Sequence, residues 1–350
     1  MKTWLARLGS VAMLASLWGA GTAVAGPAVT ADEWATYTAK FLTAEGRVVD
    51  TANGSISHSE GQGYGLLLAY LANNRSDFDR IWSFTRTELL LRDDGLAVWK
   101  WDPGKSPHVQ DSNNATDGDL LIAYAAALAG AAWNRPDLTG TAAIMAKAIM
   151  QEGVWSAEGM TMLKPGAVGF GAGERSDGPI VNPSYWVYET FDVMNELAPD
   201  QGWQRLSVDG RKLLQAAMSI GPVKLPPDWV SLHAAPAVAD GFPQQFSYNA
   251  VRIPLYLIRS GDRDRSILEP FAQAMSDESG KVRLVDITSG RTSELLADPG
   301  YRIIPAALRC TLDGTRLPAD LTVFQATEYY PSTLQLLALS YMRRRHPECL

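Results

Sequence analysis

Histidine and cysteine are scarce in this sequence of 350 residues, which contains 4 of the first and 2 of the second. The histidines His58, His108, His233 and His346 are scattered without the spacing of metal ligands. We therefore predict no metal and no cofactor. With so few histidines, and no Gly-x-Ser-x-Gly motif after the N-terminal segment, the sequence does not favour a Ser-His-Asp hydrolase.

Positive charge is also limited, with 31 lysines and arginines against 38 aspartates and glutamates and a net charge of −7. A nucleic-acid partner requires clustered Lys and Arg. The one basic run, Arg343 to Arg345, ends a predicted helix, where the helix dipole favours it. The sequence therefore excludes nucleic acid as a partner. The glycines of Gly61 to Gly65 also lack the spacing and the preceding strand of a dinucleotide-binding loop.

Long apolar runs are confined to the N-terminus. Residues 1–25 have the pattern of a secretory signal peptide, with two basic residues, an apolar stretch over 11–18 and cleavage after Ala25. No later run approaches the roughly 20 apolar residues of a membrane helix. We predict a secreted or periplasmic protein with no membrane span after signal removal. In an exported chain the pair Cys310 and Cys349 favours a disulfide that holds the C-terminal tail.

Amphipathic segments rich in Ala and Leu dominate the mature chain. Helices are predicted near residues 31–42, 63–72, 78–91, 117–133, 141–150, 184–197, 203–219, 248–259, 267–276 and 332–344. A minor strand pair is predicted around Val282 to Ile287 and Arg302 to Ile304. Strands and helices do not alternate, so a parallel sheet is excluded. The pattern predicts one all-α domain over residues 26–350.

Three long loops rich in Gly, Pro and Trp interrupt these helices, at residues 93–114, 165–183 and 222–245. Their recurrence between helical pairs predicts that one face of the domain carries the long loops.

The segment Ser59 to Tyr70 opens a predicted helix with one carboxylate, Glu60, and with glycines at 61, 63 and 65. Each glycine inside a helix costs about 1 kcal/mol relative to alanine. Three of them predict that something approaches the backbone closely beside Glu60. A structural alternative stays open, because Ser57-x-x-Glu60 also matches a capping box.

A second acidic cluster, Ala115-Thr116-Asp117-Gly118-Asp119, opens the next strongly apolar helix. Here Thr116 can serve as the N-cap and Asp119 as its reciprocal partner, which leaves Asp117 without a structural duty. Residues two apart point to different faces of a helix. We therefore predict that Asp117, rather than Asp119, enters a common site with Glu60.

Aromatic residues accompany these carboxylates along the chain, namely Tyr64, Trp99, Trp101, Tyr185 and Tyr248. Flat aromatic faces pack against the CH faces of sugar rings, while carboxylates and amides bind the hydroxyls. The combination predicts a groove for a glycan, with a sugar ring beside the glycines. Most Trp and Tyr residues are core residues, an alternative that is weaker for Trp99 and Trp101 because polar, Gly/Pro-rich loop sequence surrounds them.

With these motifs in place, the chain resembles the bacterial glycoside hydrolases of family 8, and particularly the endoglucanases that accompany cellulose synthesis. The resemblance rests on Ser59-Glu60-Gly61-Gln62-Gly63-Tyr64-Gly65, Ala115-Thr116-Asp117-Gly118-Asp119, Asn182-Pro183-Ser184-Tyr185 and Tyr248-Asn249-Ala250-x-Arg252. The motifs follow the family's order over most of the mature chain.

The resemblance implies an (α/α)6 barrel with long loops forming a substrate cleft at one end. It implies that Glu60 is the general acid, that Asp117 holds the distorted sugar, and that Arg252 and the aromatic residues shape the cleft. Because the dipole at a helix N-terminus favours charged Glu60, its pKa must be raised by burial or by a nearby carboxylate, for which Asp117 is the candidate. An inverting enzyme also needs a base across the cleft.

The base is where this chain departs from the best-known branch of the family, whose Tyr-Asp-Ala-x-Arg motif supplies it. Asn249 stands at that Asp position, and an amide orients water but does not accept its proton at neutral pH. Other branches with Asn here recruit a base from elsewhere. Asp240, Glu174 and Asp177 in the long loops are candidates, and the sequence leaves the base unassigned.

The leading hypothesis is an exported endo-β-1,4-glucanase that acts on cellulose-like chains by an inverting mechanism, in association with bacterial cellulose synthesis and its export machinery. A second hypothesis, motivated by Asn249, is a glucan-binding accessory of cellulose export with little hydrolysis. A third keeps the chemistry and changes the substrate to chitosan or xylan.

Overall fold

The computed structural model describes residues 27–157 and 159–350. The predicted signal peptide, residues 1–25, lies outside the described residues. The α-helices of the described part are α1 Ala31–Phe41, α2 Ser59–Leu71, α3 Arg75–Phe84, α4 Thr116–Trp133, α5 Pro136–Ala148, α6 Phe191–Leu197, α7 Gln201–Ala217, α8 Ile253–Arg259, α9 Arg265–Ala274, α10 Pro299–Asp313 and α11 Tyr329–Arg345. None of these helices is long and apolar enough to span a membrane.

Short antiparallel strands decorate the helices. They are β1 Ser57–His58, β2 Lys100–Trp101, β3 Val154–Ala157, β4 Met160–Leu163, β5 Ile180–Val181, β6 Val230–Ser231, β7 Ala237–Val238, β8 Gln245–Phe246, β9 Val282–Asp286 and β10 Thr292–Leu296. The pairs β1–β2 and β3–β4 and the triplets β5–β6–β7 and β10–β9–β8 are separate sheets, so the strands form no common core.

The helices form two concentric rings. An inner ring consists of α2, α4, α6 with the turns before it, α8, α10 and α11; each contacts the next, and α11 contacts α2. The sequences explain the division, because α2, α4 and α11 are buried around most of their circumference. By contrast, α1 buries only a stripe of Trp34, Tyr37 and Phe41. With α1, α3, α5, α7 and α9 outside, the fold is the expected (α/α)6 barrel.

The outer ring has no α-helix between α10 and α11. Residues 314–328 fill this gap with extended chain and a short turn at Ala319–Leu321 that packs on α10. The C-terminal tail closes the same side, because Cys310 and Cys349 form the predicted disulfide. In addition, the Leu317 amide donates to the Cys349 carbonyl at 2.9 Å. The tail therefore replaces a helix as cover for the core.

The two ends of the described chain meet at one end of the barrel. The Val29 amide donates to the carbonyl of Leu71, the last residue of α2. In the last turn of α11, Arg343 donates to the Ala28 carbonyl at 2.9 Å and pairs with Glu33 at 2.5 Å. Because α2 and α11 both end here, they begin at the opposite end of the barrel.

Two predicted elements require correction. Residues 302–304, predicted as a strand, lie inside α10, and β9 instead pairs with β10. A helix forms here because the Asp298 side chain caps its N-terminus by accepting from the Gly300 amide. Pro299 follows in the first turn, where proline is favoured. The last helix begins at Tyr329 rather than at Ser332, which brings two tyrosines into its first turn.

The glycines of α2 mark close approaches, as predicted, but the approaching groups are protein rather than a sugar. A β-carbon at position 63 would lie 2.6 Å from the Leu121 β-carbon in α4, and one at position 65 would lie 2.6 Å from Val48. In return, Gly118 of α4 lies against the backbone of Glu60. Small residues on both helices therefore let α2 and α4 pack tightly, and this packing brings Glu60 and Asp117 into one region.

Candidate active site

The starts of α2, α4 and α11 and the turn before α8 converge on a cleft of about 420 Å³. It is lined by Asp50, Asn53, His58, Ser59, Glu60, Trp99, Ala115, Asp117, Tyr185, Trp229, Tyr248, Asn249, Arg252, Tyr329 and Tyr330. The positive ends of several helix dipoles are directed at this space. Such an end favours negatively charged side chains, and the cleft holds three carboxylates, those of Asp50, Glu60 and Asp117.

The start of α2 shows that Glu60 does not form a capping box. The N-cap is His58, whose Nδ1 accepts from the Gly61 amide at 3.0 Å, while its Nε2 lies 3.4 Å from Asp50. Since the imidazole satisfies the helix start, the Glu60 carboxylate has no capping role. It contacts Arg252 instead.

At the start of α4 the two aspartates have separate surroundings. The expected Thr116 cap is wrong, because Thr116 donates to the Lys164 carbonyl and Ala115 is an N-cap without a side-chain bond. Asp119 accepts from the Ala97 amide and from Asn114, each at 2.8 Å, and so fixes the incoming loop. Asp117 lines the cleft.

Arg252 joins the two cleft carboxylates. Its Nη1 lies 2.5 Å from Glu60 Oε2 and its Nη2 lies 2.7 Å from Asp117 Oδ2, with Ser184 also within 3.1 Å of Nη2. The guanidinium is buried, and its Nε has no hydrogen-bond partner among the described residues. A planar fork of this kind can hold two carboxylates at a fixed separation.

The electrostatics differ from the expectation for Glu60. Burial raises the pKa of Asp117 to about 7, because the Arg252 charge only partly offsets the loss of water and the Glu60 charge adds to it. Burial also acts to raise the pKa of Glu60, but Arg252 and His58 outweigh it and leave that pKa below its ordinary value. Of these two carboxyls, therefore, Asp117 is the one whose pKa is raised.

The predicted aromatic residues fall into two groups. Trp99, Tyr185 and Tyr248 line the cleft, and Trp99 donates its indole N–H to Asp111 at 2.8 Å. The prediction that Tyr64 contacts the substrate is wrong, because its ring is fully buried and its hydroxyl pairs with that of Tyr256. Trp101 also lies outside the cleft lining, where it packs on Phe84 and His108.

Sequence reasoning missed several residues of the cleft, namely Asp50, Asn53, His58, Trp229, Tyr329 and Tyr330. The predicted start of the last helix at residue 332 leaves both tyrosines outside it. Pro331, which lies in the first turn of α11, is the local signal that indicates the earlier start. Trp229 lies in the third long loop, where nothing in the sequence separates it from an ordinary loop tryptophan.

The three candidate bases lie outside the cleft lining, and the carboxylates of two of them hold loops together. Glu174 accepts from the amides of Gly169, Phe170 and Gly171. Asp177 pairs with Arg175 and accepts from the backbone amide of Asp240. A different acid, Asp228, lies next to Asn249 and accepts from its side-chain amide at 3.5 Å.

Known proteins of similar sequence and fold exist for most of this chain. The sequence profile described as glycosyl hydrolases family 8 matches residues 6–344. A probable endoglucanase of Novacetimonas hansenii is 38% identical over 318 residues, which cover 89% of this chain and 90% of that protein. An endoglucanase of Cellulomonas uda is 36% identical over 226 residues, covering 64% and 62%. The solved structure of the endo-beta-1,4-glucanase CMCax from Acetobacter xylinum is 36% identical with a TM-score of 0.80, covering 90% of this chain and 98% of that one.

Proposed function

Since this chain belongs to the glycosyl hydrolases of family 8 and is an endo-1,4-β-glucanase, we propose that it is exported and cuts internal bonds of cellulose-like glucan with inversion. The observation that carries the proposal is the Glu60–Arg252–Asp117 cluster at the floor of an aromatic-lined cleft. We assign residues 1–25 to a signal peptide and residues 26–350 to one catalytic domain.

Glu60 is the general acid in this proposal. Protonated Glu60 gives its proton to the glycosidic oxygen while the bond from that oxygen to the anomeric carbon breaks. A water molecule forms the new bond to that carbon from the opposite face and releases one proton to the solvent. Arg252 and His58 favour charged Glu60, so the proton must be gained as glucan binds. A bound sugar excludes water from the carboxyl, and loss of solvation raises a carboxyl pKa.

Asp117 and Arg252 support this step. Asp117 lies where it can accept from a hydroxyl of the sugar at the cleavage point, and its charged form stabilises the positive charge that develops on the ring. Arg252 holds both carboxylates and prevents them from moving apart or repelling each other. Arg252 and Asp117 are buried and Glu60 is half-buried, so the attraction between the guanidinium and the carboxylates is less screened than it would be in water.

The aromatic side chains supply the affinity for glucan. Trp99, Tyr185, Trp229 and Tyr248 line the cleft around the carboxylates, and aromatic faces pack on the CH surfaces of β-linked glucose. The cleft is open rather than a closed pouch, because it lies among the long loops at one end of the barrel. An open cleft suits the interior of a long chain, in agreement with endo cleavage. We further propose that this activity accompanies cellulose synthesis and its export machinery.

The test compares wild type with Glu60→Gln on soluble carboxymethyl-cellulose, with release of reducing ends as the measurement. Glutamine keeps the shape of the side chain but holds no transferable acid proton, and we expect the rate to fall by about 10³-fold or more. Anomer analysis of the first products by NMR reports inversion. Binding of cellulose by Glu60→Gln is measured in parallel and should persist.

Two outcomes separate the alternatives. Equal and negligible rates for the two proteins, with binding retained, would support a glucan-binding accessory, for which the Asn at position 249 is the motivating observation. A panel of cellulose, xylan and chitosan tests the substrate. Faster cleavage of xylan or chitosan than of cellulose would keep the chemistry and replace the substrate.

A further inference from the structure

Asp228 is a buried carboxylate for which the proposed acid step has no use. Its residue is only 5% exposed, and no lysine, arginine or histidine of the described chain forms an ion pair with it. Its Oδ1 accepts from the backbone amides of Ser247 and Ala250, each at 2.9 Å. Those bonds hold the turn that carries Tyr248 and Asn249 into the cleft.

The remaining oxygen of Asp228 determines how the Asn249 side chain is oriented. Oδ2 accepts from Asn249 Nδ2 at 3.5 Å. A charged carboxylate only accepts hydrogen bonds, so the amide end that faces it must be the NH₂ group. The Asn249 oxygen is then the free end, and no residue of the described chain donates to it. Asn249 itself lines the cleft.

We propose that Asp228 is a positioning residue that fixes the Asn249 carboxamide with its oxygen available to the cleft, where it accepts a hydrogen bond from the attacking water. The inference rests on the proposed function and deepens it. Asn249 stands at the position where the base, which receives the proton of the attacking water, is found in the best-known branch of the family. An amide at this position can bind that water as an acceptor only if its oxygen faces the cleft. The buried Asp228 supplies that constraint, and its negative charge strengthens the hydrogen bond through the polarised amide.

Replacing Asp228 by asparagine makes a specific change. The new side-chain oxygen can still accept from the Ser247 and Ala250 amides, so the turn is kept. Its NH₂ group then faces the NH₂ group of Asn249, and two donors cannot bond to each other. Asn249 must rotate its amide and present a donor, instead of an acceptor, to the water. The double variant Asp228→Asn with Asn249→Asp restores a donor facing an acceptor and leaves a carboxylate oxygen for the water.

The experiment measures kcat and KM on carboxymethyl-cellulose, and thermal unfolding, for Asp228→Asn, Asn249→Ala and the double variant. We expect each single change to lower kcat about tenfold or more while KM stays within about twofold, as for loss of a hydrogen bond made mainly in the transition state. We expect the double variant to recover kcat above that of Asp228→Asn. Asp209→Asn is the matched control, since Asp209 is equally buried and accepts from the Thr161 amide outside the cleft. Its kcat should match wild type.

The outcomes separate this inference from the proposed function. Wild-type kcat in Asp228→Asn, alongside an inactive Glu60→Gln, overturns the positioning role and leaves the acid in place. Failure of the double variant to recover any kcat in a folded protein also overturns it. Should Asp228→Asn not fold, Asn249→Ala carries the test, because a wild-type kcat there removes the need for an acceptor. An unchanged rate in Glu60→Gln contradicts the proposed function instead.

Discussion

Gly118 of α4 lies directly against Glu60 of α2, so that a β-carbon at position 118 would come 2.7 Å from the Glu60 backbone nitrogen. No real β-carbon approaches a backbone atom this closely. The two helix starts that carry the cleft carboxylates are therefore packed backbone to backbone, and their spacing depends on the absence of one side chain.

Gly118→Ala should lower both stability and activity. The methyl group must push α2 and α4 apart at Glu60, and overpacking of a core typically costs about 1–3 kcal/mol. We expect kcat to fall about tenfold or more, because small displacements of catalytic groups are costly. Urea unfolding and initial rates measure the two effects.

Gly140→Ala is the control, since a β-carbon in this α5 position meets nothing within 4 Å. It should gain up to about 1 kcal/mol and keep wild-type kcat. A stable, fully active Gly118→Ala would contradict the packing argument.

Arg252→Lys should reduce kcat by about 100-fold. The lysine ammonium is a point charge that can reach one of the two carboxylates but cannot hold both as the guanidinium fork does. Initial rates with increasing carboxymethyl-cellulose give kcat and KM. The matched control is Arg259→Lys, because Arg259 also makes a buried two-bond contact, with Glu189, but outside the cleft lining. That variant should lose stability while it keeps kcat. Equal kcat in both lysine variants would argue against a role for the fork.

Asp117→Asn should change how stability depends on pH. Burial raises the pKa of Asp117 from 3.8 to about 7, so over that interval the folded protein holds a proton that the unfolded chain releases. The stabilisation from this group is complete below about pH 4 and is lost as the pH rises to about 7. Asparagine does not titrate, so the stability of the variant does not change with pH through this position.

We therefore expect the unfolding free energy of Asp117→Asn, relative to wild type, to increase by more than about 1 kcal/mol between pH 4 and pH 7. Urea unfolding across that range measures it. Asp209→Asn should show almost no change over this range, because Lys212 and the Thr161 amide outweigh burial and hold the pKa of Asp209 below its ordinary value, so that its stabilisation is already complete above about pH 4. Identical pH profiles for the two variants would refute the assignment.

Trp99→Ala and Tyr64→Phe should differ in KM. Trp99 lines the cleft whereas Tyr64 is buried beneath it. We expect Trp99→Ala to raise KM about tenfold through loss of a stacking surface. Tyr64→Phe should leave KM unchanged and lower stability by about 1 kcal/mol, because the Tyr256 hydroxyl loses its partner. A raised KM in Tyr64→Phe would restore the original sequence prediction.

Removal of the disulfide should weaken the fold without affecting catalysis. Cys310 and Cys349 are 39 residues apart, and a closed loop of that length is worth about 3–4 kcal/mol in the chain-entropy description. The bond lies near the end of α11 that is about 25 Å from its start in the cleft. Urea unfolding of the Cys310→Ser, Cys349→Ser double variant should show the loss. Its kcat at a temperature below unfolding should equal that of wild type.

The barrel itself was predictable, because inner and outer helices have different apolar patterns and the family motifs lie at helix starts. The exceptions have physical causes. The helix α10 was missed because Pro305 lies inside it and its start depends on a single aspartate cap. The sequence predicts a sugar beside the α2 glycines, whereas the structure has Leu121 and Val48 there. Which segments pack against α2 is a long-range contact that the local sequence does not contain.

The cleft was predictable only where motifs were continuous. Glu60, Asp117 and Arg252 each lie in a recognisable run, and the structure brings these three together. Asp228 follows two prolines in a long loop and bears no local signal of its bond to Asn249, which is 21 residues away. The lowered pKa of Glu60 could not be predicted either, because it depends on the distance to the Arg252 guanidinium, which is 192 residues further along the chain.

The contacts of Ala28 and Val29 with Arg343 and Leu71 place both ends of the described chain on the side of the barrel away from the cleft. An attachment made at either end, whether a purification tag, a fusion partner or a solid support, therefore leaves the glucan-binding mouth unobstructed. The same proximity makes the protein a good subject for circular permutation, in which a short linker joins the old ends and new ones are opened in a surface loop.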